Sequence, residues 1–331
     1  MEKIRWLVPI SATAILLLSS AASYAQLPSL KDFHPPDRWL KPGTMVDVGG
    51  YRLNLYCSGA GTPTVVMESG GGWGAIGWAG IQDSLAARAK TRVCSYDRAG
   101  MNFSDVGPVE RPAIQTIHDL HELLKRAKIP GPYVLIGWSA GGMMIRWFAS
   151  LYPSETGALV IVDGSDSDYT DPKSNLEWIT RRSVRLQACV DAVKTRTLTS
   201  DQALFQRCRA SLFPFQYSEA LNKANLAKMT SVESYEQSLY EVQHAQEGAD
   251  ALKADRKPLG SIPVRLLMAS EHVSEASFVE FATNCEKIAA SSDNGLLIIV
   301  PKSAHMIQYY RPEVVIDTIA DMVAAARARK H

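Results

Sequence analysis

The sequence is short of the features that mark several common classes of protein. Charge of one sign is absent: 35 Lys and Arg stand against 34 Asp and Glu, a formal net charge of +1, and the basic residues form no tract. Without a basic face there is no electrostatic footprint for nucleic acid or for an anionic membrane surface, and neither partner is expected. Internal repeats and low-complexity stretches are missing, so the chain is neither a repeat array nor a linker. Cysteine is scarce, five in 331 residues, and Cys57, Cys94, Cys189, Cys208 and Cys285 show none of the spacings of a zinc site, so no metal is expected. The one glycine run, Gly70-Gly71-Gly72, is not followed by the Lys-Ser or Lys-Thr of a phosphate-cradling loop, so no nucleotide or other cofactor is expected either.

What remains is an ordinary globular composition, 46% hydrophobic and 21% charged, in a chain long enough for a full α/β core with an insertion. The first residues stand apart. Met1 to Arg5 is a short charged start, Trp6 to Ala22 is mostly apolar, and Ser23-Tyr24-Ala25 puts small residues three and one positions before a cleavage point. This predicts a signal peptide, residues 1–25, with a mature chain starting at Gln26 in the periplasm or outside the cell. An uncleaved anchor is the alternative; the apolar run is slightly short for spanning, and no stable membrane insertion is expected after cleavage. Removing Lys3, Arg5 and Glu2 takes away two cations and one anion, so the formal charge falls from +1 to 0. In an oxidising compartment a bridge between Cys189 and Cys208 would clip a small helical hairpin. Cys57 and Cys94 sit in predicted strands, as neighbours or as core residues, and an odd count leaves at least one thiol over.

Along the chain, the periodicity predicts a hairpin from Thr44 to Val48 and Tyr51 to Cys57, then strands from Thr64 to Glu68 and from Arg92 to Tyr96. Helices are predicted over about Ile76 to Lys90 and Ala113 to Ala127. Further strands are expected over Tyr133 to Trp138, Ala158 to Val162, Pro263 to Ala269 and Leu296 to Val300, with a last amphipathic helix around Val315, Ile319 and Met322. Strands alternating with helices imply a doubly wound, mostly parallel, eight-stranded α/β sheet. The rhythm breaks after the sixth strand, where a charged helical stretch without strands reads as an inserted cap. The predicted division is therefore a core of residues 26–168 and 259–331, with the cap at 169–258.

The chemistry concentrates at Gly137-Trp138-Ser139-Ala140-Gly141. A serine between an apolar strand and a helical pattern sits on a sharp turn that lifts its hydroxyl clear at the end of a sheet, and Ser139 is the predicted nucleophile. A hydroxyl is a poor nucleophile without a base in hydrogen-bond reach. Of seven histidines, His305 lies in a short loop after the last strand, which in such a sheet opens at the same edge as Ser139. His118, His121 and His244 fall in predicted helices, His34 and His331 near the termini, and His272 has no helper pattern. His305 is the predicted base. An oxyanion needs donors already in place; the predicted pair is the amide of Gly71, in the glycine run after the third strand, and that of Ala140.

From about Val46 to its end the chain resembles the α/β-hydrolases of the lid-bearing serine esterase and peptidase type. The residues that carry the resemblance are Glu68-Ser69-Gly70-Gly71-Gly72, Ser95-Tyr96-Asp97-Arg98-Ala99-Gly100, Gly-Trp-Ser-Ala-Gly and Ser303-Ala304-His305. The family usually has histidine where Trp138 stands and His-Gly where Ser69-Gly70 stands; both changes keep the turn and alter the pocket wall. Asp97-Arg98 matches a family pair that braces its loop. The acid partner of His305 is the least legible residue. The commonest family position follows the seventh strand, but there Ser270-Glu271-His272-Val273 places valine where aspartate belongs. The other follows the sixth strand, where Asp163, Asp166, Asp168 and Asp171 crowd nine residues. The order of preference is Asp168, then Glu271, then Asp163, taken as a strand-end residue; a solvated acidic loop is the plain alternative. The resemblance implies a serine hydrolase that cleaves a carboxylic ester through an acyl-enzyme, and the leader-like N-terminus predicts that it is exported. Trp73, Trp78 and Trp138 near the site point to a hydrophobic small-molecule ester or acyl substrate. An aminopeptidase, an amidase or an acyltransferase on the same triad, or a silent binding protein of the same fold, are the alternatives.

Overall fold

The structure, a computed structural model, describes residues 15–17, 37–164, 172–212, 230–271 and 275–328. Its strands are β1 (Ile15–Leu17), β2 (Thr44–Asp47), β3 (Arg52–Ser58), β4 (Val65–Glu68), β5 (Val93–Tyr96), β6 (Tyr133–Trp138), β7 (Thr156–Val162), β8 (Val264–Ala269) and β9 (Gly295–Val300). They form one sheet in the order β1-β9-β8-β7-β6-β4-β5-β3-β2. Only the β2–β3 and β3–β5 pairings are antiparallel. The eight expected strands are present. The ninth, β1, falls inside the segment read as a leader: its three residues pair in parallel with Leu297, Ile298 and Ile299, covering the otherwise open edge of β9.

The strands alternate their side chains between two cores, as period-two geometry requires. Val65, Met67, Val134, Ile136, Trp138, Val160 and Val162 face one side. Val66, Leu135, Leu159, Ile161, Leu266 and Met268 face the other. Both faces are apolar because both are covered by helices, which is why the central strands read as unbroken hydrophobic runs. Against the first face pack α1 (Gln82–Ala89) and the last helix, α10 (Pro312–Ala328), through Leu85, Val315, Ile319 and Val323. Against the second pack α2 (Ile114–Arg126), α3 (Ala140–Leu151) and α8 (Glu275–Ala289), through Leu120, Leu123, Ile145, Phe148 and Ile288.

The helix expected over about Ile76 to Lys90 is divided. A 3-10 turn, Ala75–Trp78, precedes α1, and the break falls at Gly80, beside a turn held from outside by the Asp97 carboxylate, which accepts from the Ala75 amide at 2.8 Å. After β7 the chain leaves the sheet for α4 (Pro172–Lys194), α5 (Gln202–Leu212), α6 (Val232–Gln243) and α7 (Ala245–Asp255) before it re-enters at β8. These are the helices of the predicted cap. They hold a small core of their own, with Leu186, Val190, Leu198, Tyr235 and Leu239 around a Cys189–Cys208 disulfide. Cys57 and Cys94, opposite each other on β3 and β5, form a second disulfide, and Cys285 is the free, buried cysteine.

Candidate active site

The loops that follow β4, β5, β6, β7 and β9 carry every residue of interest, and in a parallel sheet the carboxyl ends of those strands share one edge. Ser139 is the first residue past β6 and the N-cap of α3, with φ 54° and ψ −125°. The elbow leaves no room around it. A Cβ on Gly137 would stand 2.3 Å from the Gly141 carbonyl oxygen, and one on Gly141 would stand 2.5 Å from that of Glu68. Glycine at both positions lets the strand, the turn and the neighbouring β4 end pass this closely.

Asp163 occupies the same station on the next strand. Trp138 and Val162 are paired across β6 and β7, so Ser139 and Asp163 are each the first residue beyond their strands. Asp163 also has a left-handed backbone, φ 46°. Its carboxylate is held at both oxygens: Oδ1 accepts from the Ala269 amide at 2.8 Å and Oδ2 lies 2.8 Å from Nδ1 of His305. The Asp163 side chain is 0% exposed and that of His305 34%, so the acid is sealed while the imidazole reaches accessible space. A carboxylate on Nδ1 fixes that nitrogen as the protonated one and leaves Nε2 as the free base.

Of the three acids ranked on the sequence, Asp163 is the one the structure shows against His305. Asp168, ranked first on the sequence, lies outside the described residues, as do Asp166 and Asp171. Glu271, ranked second, is exposed, and its backbone amide donates to the Ser303 carbonyl at 3.0 Å. Val273, at the position the family favours, lies outside the described residues, while Asp163, ranked last, reaches the histidine. The signal that identifies Asp163 is its register with Ser139, and register is a property of strand pairing that one-dimensional spacing does not carry.

The glycine turn after β4 is shaped by Arg98. Its Nη1 donates to Glu68 Oε1 at 2.5 Å and to the Ser69 carbonyl at 2.8 Å, and its Nη2 donates to the Gly70 carbonyl at 2.7 Å. Because a trans peptide sets C=O and N–H on opposite sides, drawing the Gly70 carbonyl toward Arg98 turns the Gly71 N–H away from it. Gly71 packs on the elbow, where a Cβ would come 3.9 Å from that of Ala140. The Ser139 carbonyl accepts from Gly142 at 2.9 Å along α3, so the Ala140 N–H in the same peptide points out of the helix N-terminus. Beneath the turn, burial pushes the Glu68 carboxyl up while Arg98 opposes it, and Tyr96 donates its hydroxyl to the same carboxylate. Asp97 accepts from Asn54, Asn102 and Ala75 and is a bracket between loops.

Ser139 opens on a cavity of about 440 Å³ between the sheet edge and the cap. Its apolar wall includes Met101, Met143, Met144, Trp147, Val242 and Leu252. Of the aromatics singled out on the sequence, Trp73, Trp78 and Trp138 are buried packing residues and line none of it; Trp147 and Trp178 do. The cap reaches the core beside this cavity through Gln237 of α6, whose Nε2 donates to the Ala99 carbonyl at 2.6 Å.

Residues 63–256 match the profile described as alpha/beta hydrolase fold. The chain belongs to the α/β-hydrolase fold family. It is 23% identical over 316 residues to a protein named "Probable transporter efuK" of Hormonema carpetanum, covering 86% of this chain and 43% of that protein. It is 31% identical over 146 residues to protein YbdG of Bacillus subtilis, covering 43% of this chain and 44% of that one. The chain thus spans less than half the length of these two relatives. Among solved structures, epoxide hydrolase CorEH superposes with a TM-score of 0.63 at 18% identity, over 85% of this chain and 98% of its own. A thermophilic esterase from Thermogutta terrifontis superposes with a TM-score of 0.59 at 18% identity, over 86% and 99%. At that identity the likeness is one of fold. Among the described residues, no helix of this α/β-hydrolase is long and apolar enough to cross a membrane.

Proposed function

We propose that the protein is an exported serine hydrolase that cleaves a carboxylic ester with a hydrophobic acyl group, using Ser139, His305 and Asp163. The observation that carries this reading is the 2.8 Å contact between His305 Nδ1 and the sealed Asp163 carboxylate, at the sheet edge where Ser139 is held on its strained turn. Nε2 of His305 takes the Ser139 proton as Oγ attacks the ester carbonyl. The negative charge on the carbonyl oxygen is met by the Gly71 and Ala140 amides, which need no reorganisation during the reaction. Collapse expels the alcohol, which leaves with the proton held on Nε2, and an acyl group remains on Oγ. Water then repeats the sequence, giving one proton to Nε2 as it attacks; the acyl–Oγ bond breaks, Nε2 returns that proton to Ser139 Oγ, and the carboxylic acid departs. Asp163 keeps its own charge throughout and supports the imidazolium. A serine at the elbow distinguishes this chemistry from routes that place a carboxylate there.

Support for export comes from the leader-like residues 1–25 and from two disulfides, which persist in oxidising compartments. Cleavage after Ala25 would remove β1 and leave β9 as the sheet edge. The wall of methionines and Trp147 supports an acyl chain on that side of the cavity, whose lining also includes Arg111, Arg182 and Glu241. The test is a p-nitrophenyl ester chain-length series on the mature protein, with fluorophosphonate labelling. Labelling at Ser139 and turnover that falls by several orders of magnitude in a folded Ser139→Ala variant are expected. Near-normal turnover in that variant would end the reading.

A further inference from the structure

Trp138 takes no part in the proton transfers, yet it touches each loop that does. Its indole Nε1 donates to the backbone carbonyl of His305 at 2.9 Å, joining residues 167 apart. Its ring lies 5.4 Å from the imidazole, centre to centre, and meets Trp73 edge-on at 5.3 Å. A Cβ on Gly70 would stand 3.1 Å from two of its ring carbons. Ser139 is its neighbour in the chain. The side chain is buried, 2% exposed.

A buried indole N–H usually finds an acceptor. Here that is not guaranteed by burial alone, since Nε1 of the buried Trp39 and Trp78 has no hydrogen-bond partner among the described residues. The Trp138 bond therefore reflects where the His305 loop has been set. His305 is anchored twice: Asp163 on β7 holds its ring, and Trp138 on β6 holds its backbone. The rest of the loop between β9 and the short helix α9 (Ile307–Tyr310) is fixed by bonds to Pro301 and Ser303, from Arg311 and from the Glu271 amide. The Trp138 bond acts on the backbone of His305 itself, and its loss lets that residue shift and carry Nε2 with it. Misplacement of a catalytic group by about 1 Å costs on the order of a hundredfold in rate. We infer that Trp138 is a positioning residue, which sets the His305 imidazole against Ser139 and fixes the Gly70 turn by the same ring.

The inference rests on the roles proposed for Ser139 and His305, and its test is arranged to separate the two. Trp138→Phe keeps a ring and removes the donor. Because Trp138 does not line the substrate cavity, kcat is expected to fall roughly tenfold or more while KM stays within about twofold. A merely structural residue would lower the melting temperature without that split. The second readout needs no turnover. In protein carrying ¹⁵N-histidine, the Nδ1–H signal of His305, assigned by its loss in His305→Gln, is sharp in the wild type and broadened or absent in Trp138→Phe. If Trp138→Phe does not fold, benzothienylalanine at position 138, which keeps the bicycle and lacks the N–H, takes its place in both measurements. Unchanged kcat, KM and His305 signal overturn the inference. A wild type that neither labels nor turns over ends the ester reading, and the His305 signal still decides on Trp138.

Discussion

Asp163 is asked to do two things at once, and its backbone shows how. A left-handed φ of 46° at the end of β7 turns the side chain across the sheet edge, so that one oxygen closes the end of β8 at Ala269 and the other meets His305. The Ala269 bond keeps the carboxylate from following the histidine, which makes it an orienting group. Asp163→Asn is therefore expected to leave a folded protein whose imidazole adopts the wrong tautomer, with ester turnover down by about 10³- to 10⁴-fold. Glu271→Gln, at an exposed residue engaged through its backbone, should stay within about twofold. Steady-state kinetics of the two variants side by side decide the assignment; a larger loss in Glu271→Gln would move the acid to the end of β8. Cys285 beneath the site is inert by comparison, because burial and the Asp163 charge both raise its thiol pKa.

Among the elements, the cap is the one whose integrity rests least on the sheet. Its helices α4, α5 and α6 enclose their own buried cluster, and the Cys189–Cys208 bridge, with a sequence separation of 19, lies within it. In the chain-entropy model a loop of that length contributes about 3 kcal/mol. Replacing both cysteines with alanine should thus loosen the cap before the core. Limited proteolysis ought to cut the double variant first between residues 172 and 255, at a rate well above that of the wild type. Equal rates would mean that packing around Leu186 and Tyr235 holds the cap unaided. Gln237 shows how the cap is registered on the core: it is fully buried, and a Cβ on Gly100 would come 2.0 Å from its Oε1, so glycine there makes room for the contact.

For the whole molecule, export, redox state and sheet edge are linked. If the leader is removed, the intact mass of exported protein corresponds to a start at Gln26, with two disulfides and a single alkylatable thiol on Cys285. Mass spectrometry of non-reduced digests checks all three. A retained Met1, or peptides carrying free Cys189 and free Cys208, would count against export. The loss of β1 would expose the backbone donors and acceptors of β9 that Ile15–Leu17 cover.

Periodicity and turn chemistry along the chain were enough for the alternation of β4 to β9 with helices, the cap after β7, the elbow at Ser139 and the histidine loop at His305, because each depends on residues close in sequence. The bridge between Cys189 and Cys208 is of the same local kind. The division of the first helix was within reach too, since Gly77 and Gly80 are visible breakers. What the chain did not disclose was set by contacts between strands. Cys57 meets Cys94 because β3 and β5 are paired in that register, and neither residue marks the pairing. Asp163 stands level with Ser139 because β6 and β7 align Trp138 with Val162, which brings the first residues past them to one edge. Trp138 reads on the sequence as part of the pocket wall; the structure buries it and delivers the His305 carbonyl to its N–H. Local chemistry points to Ser139 and His305; the geometry of a parallel sheet decides which carboxylate and which indole stand against His305.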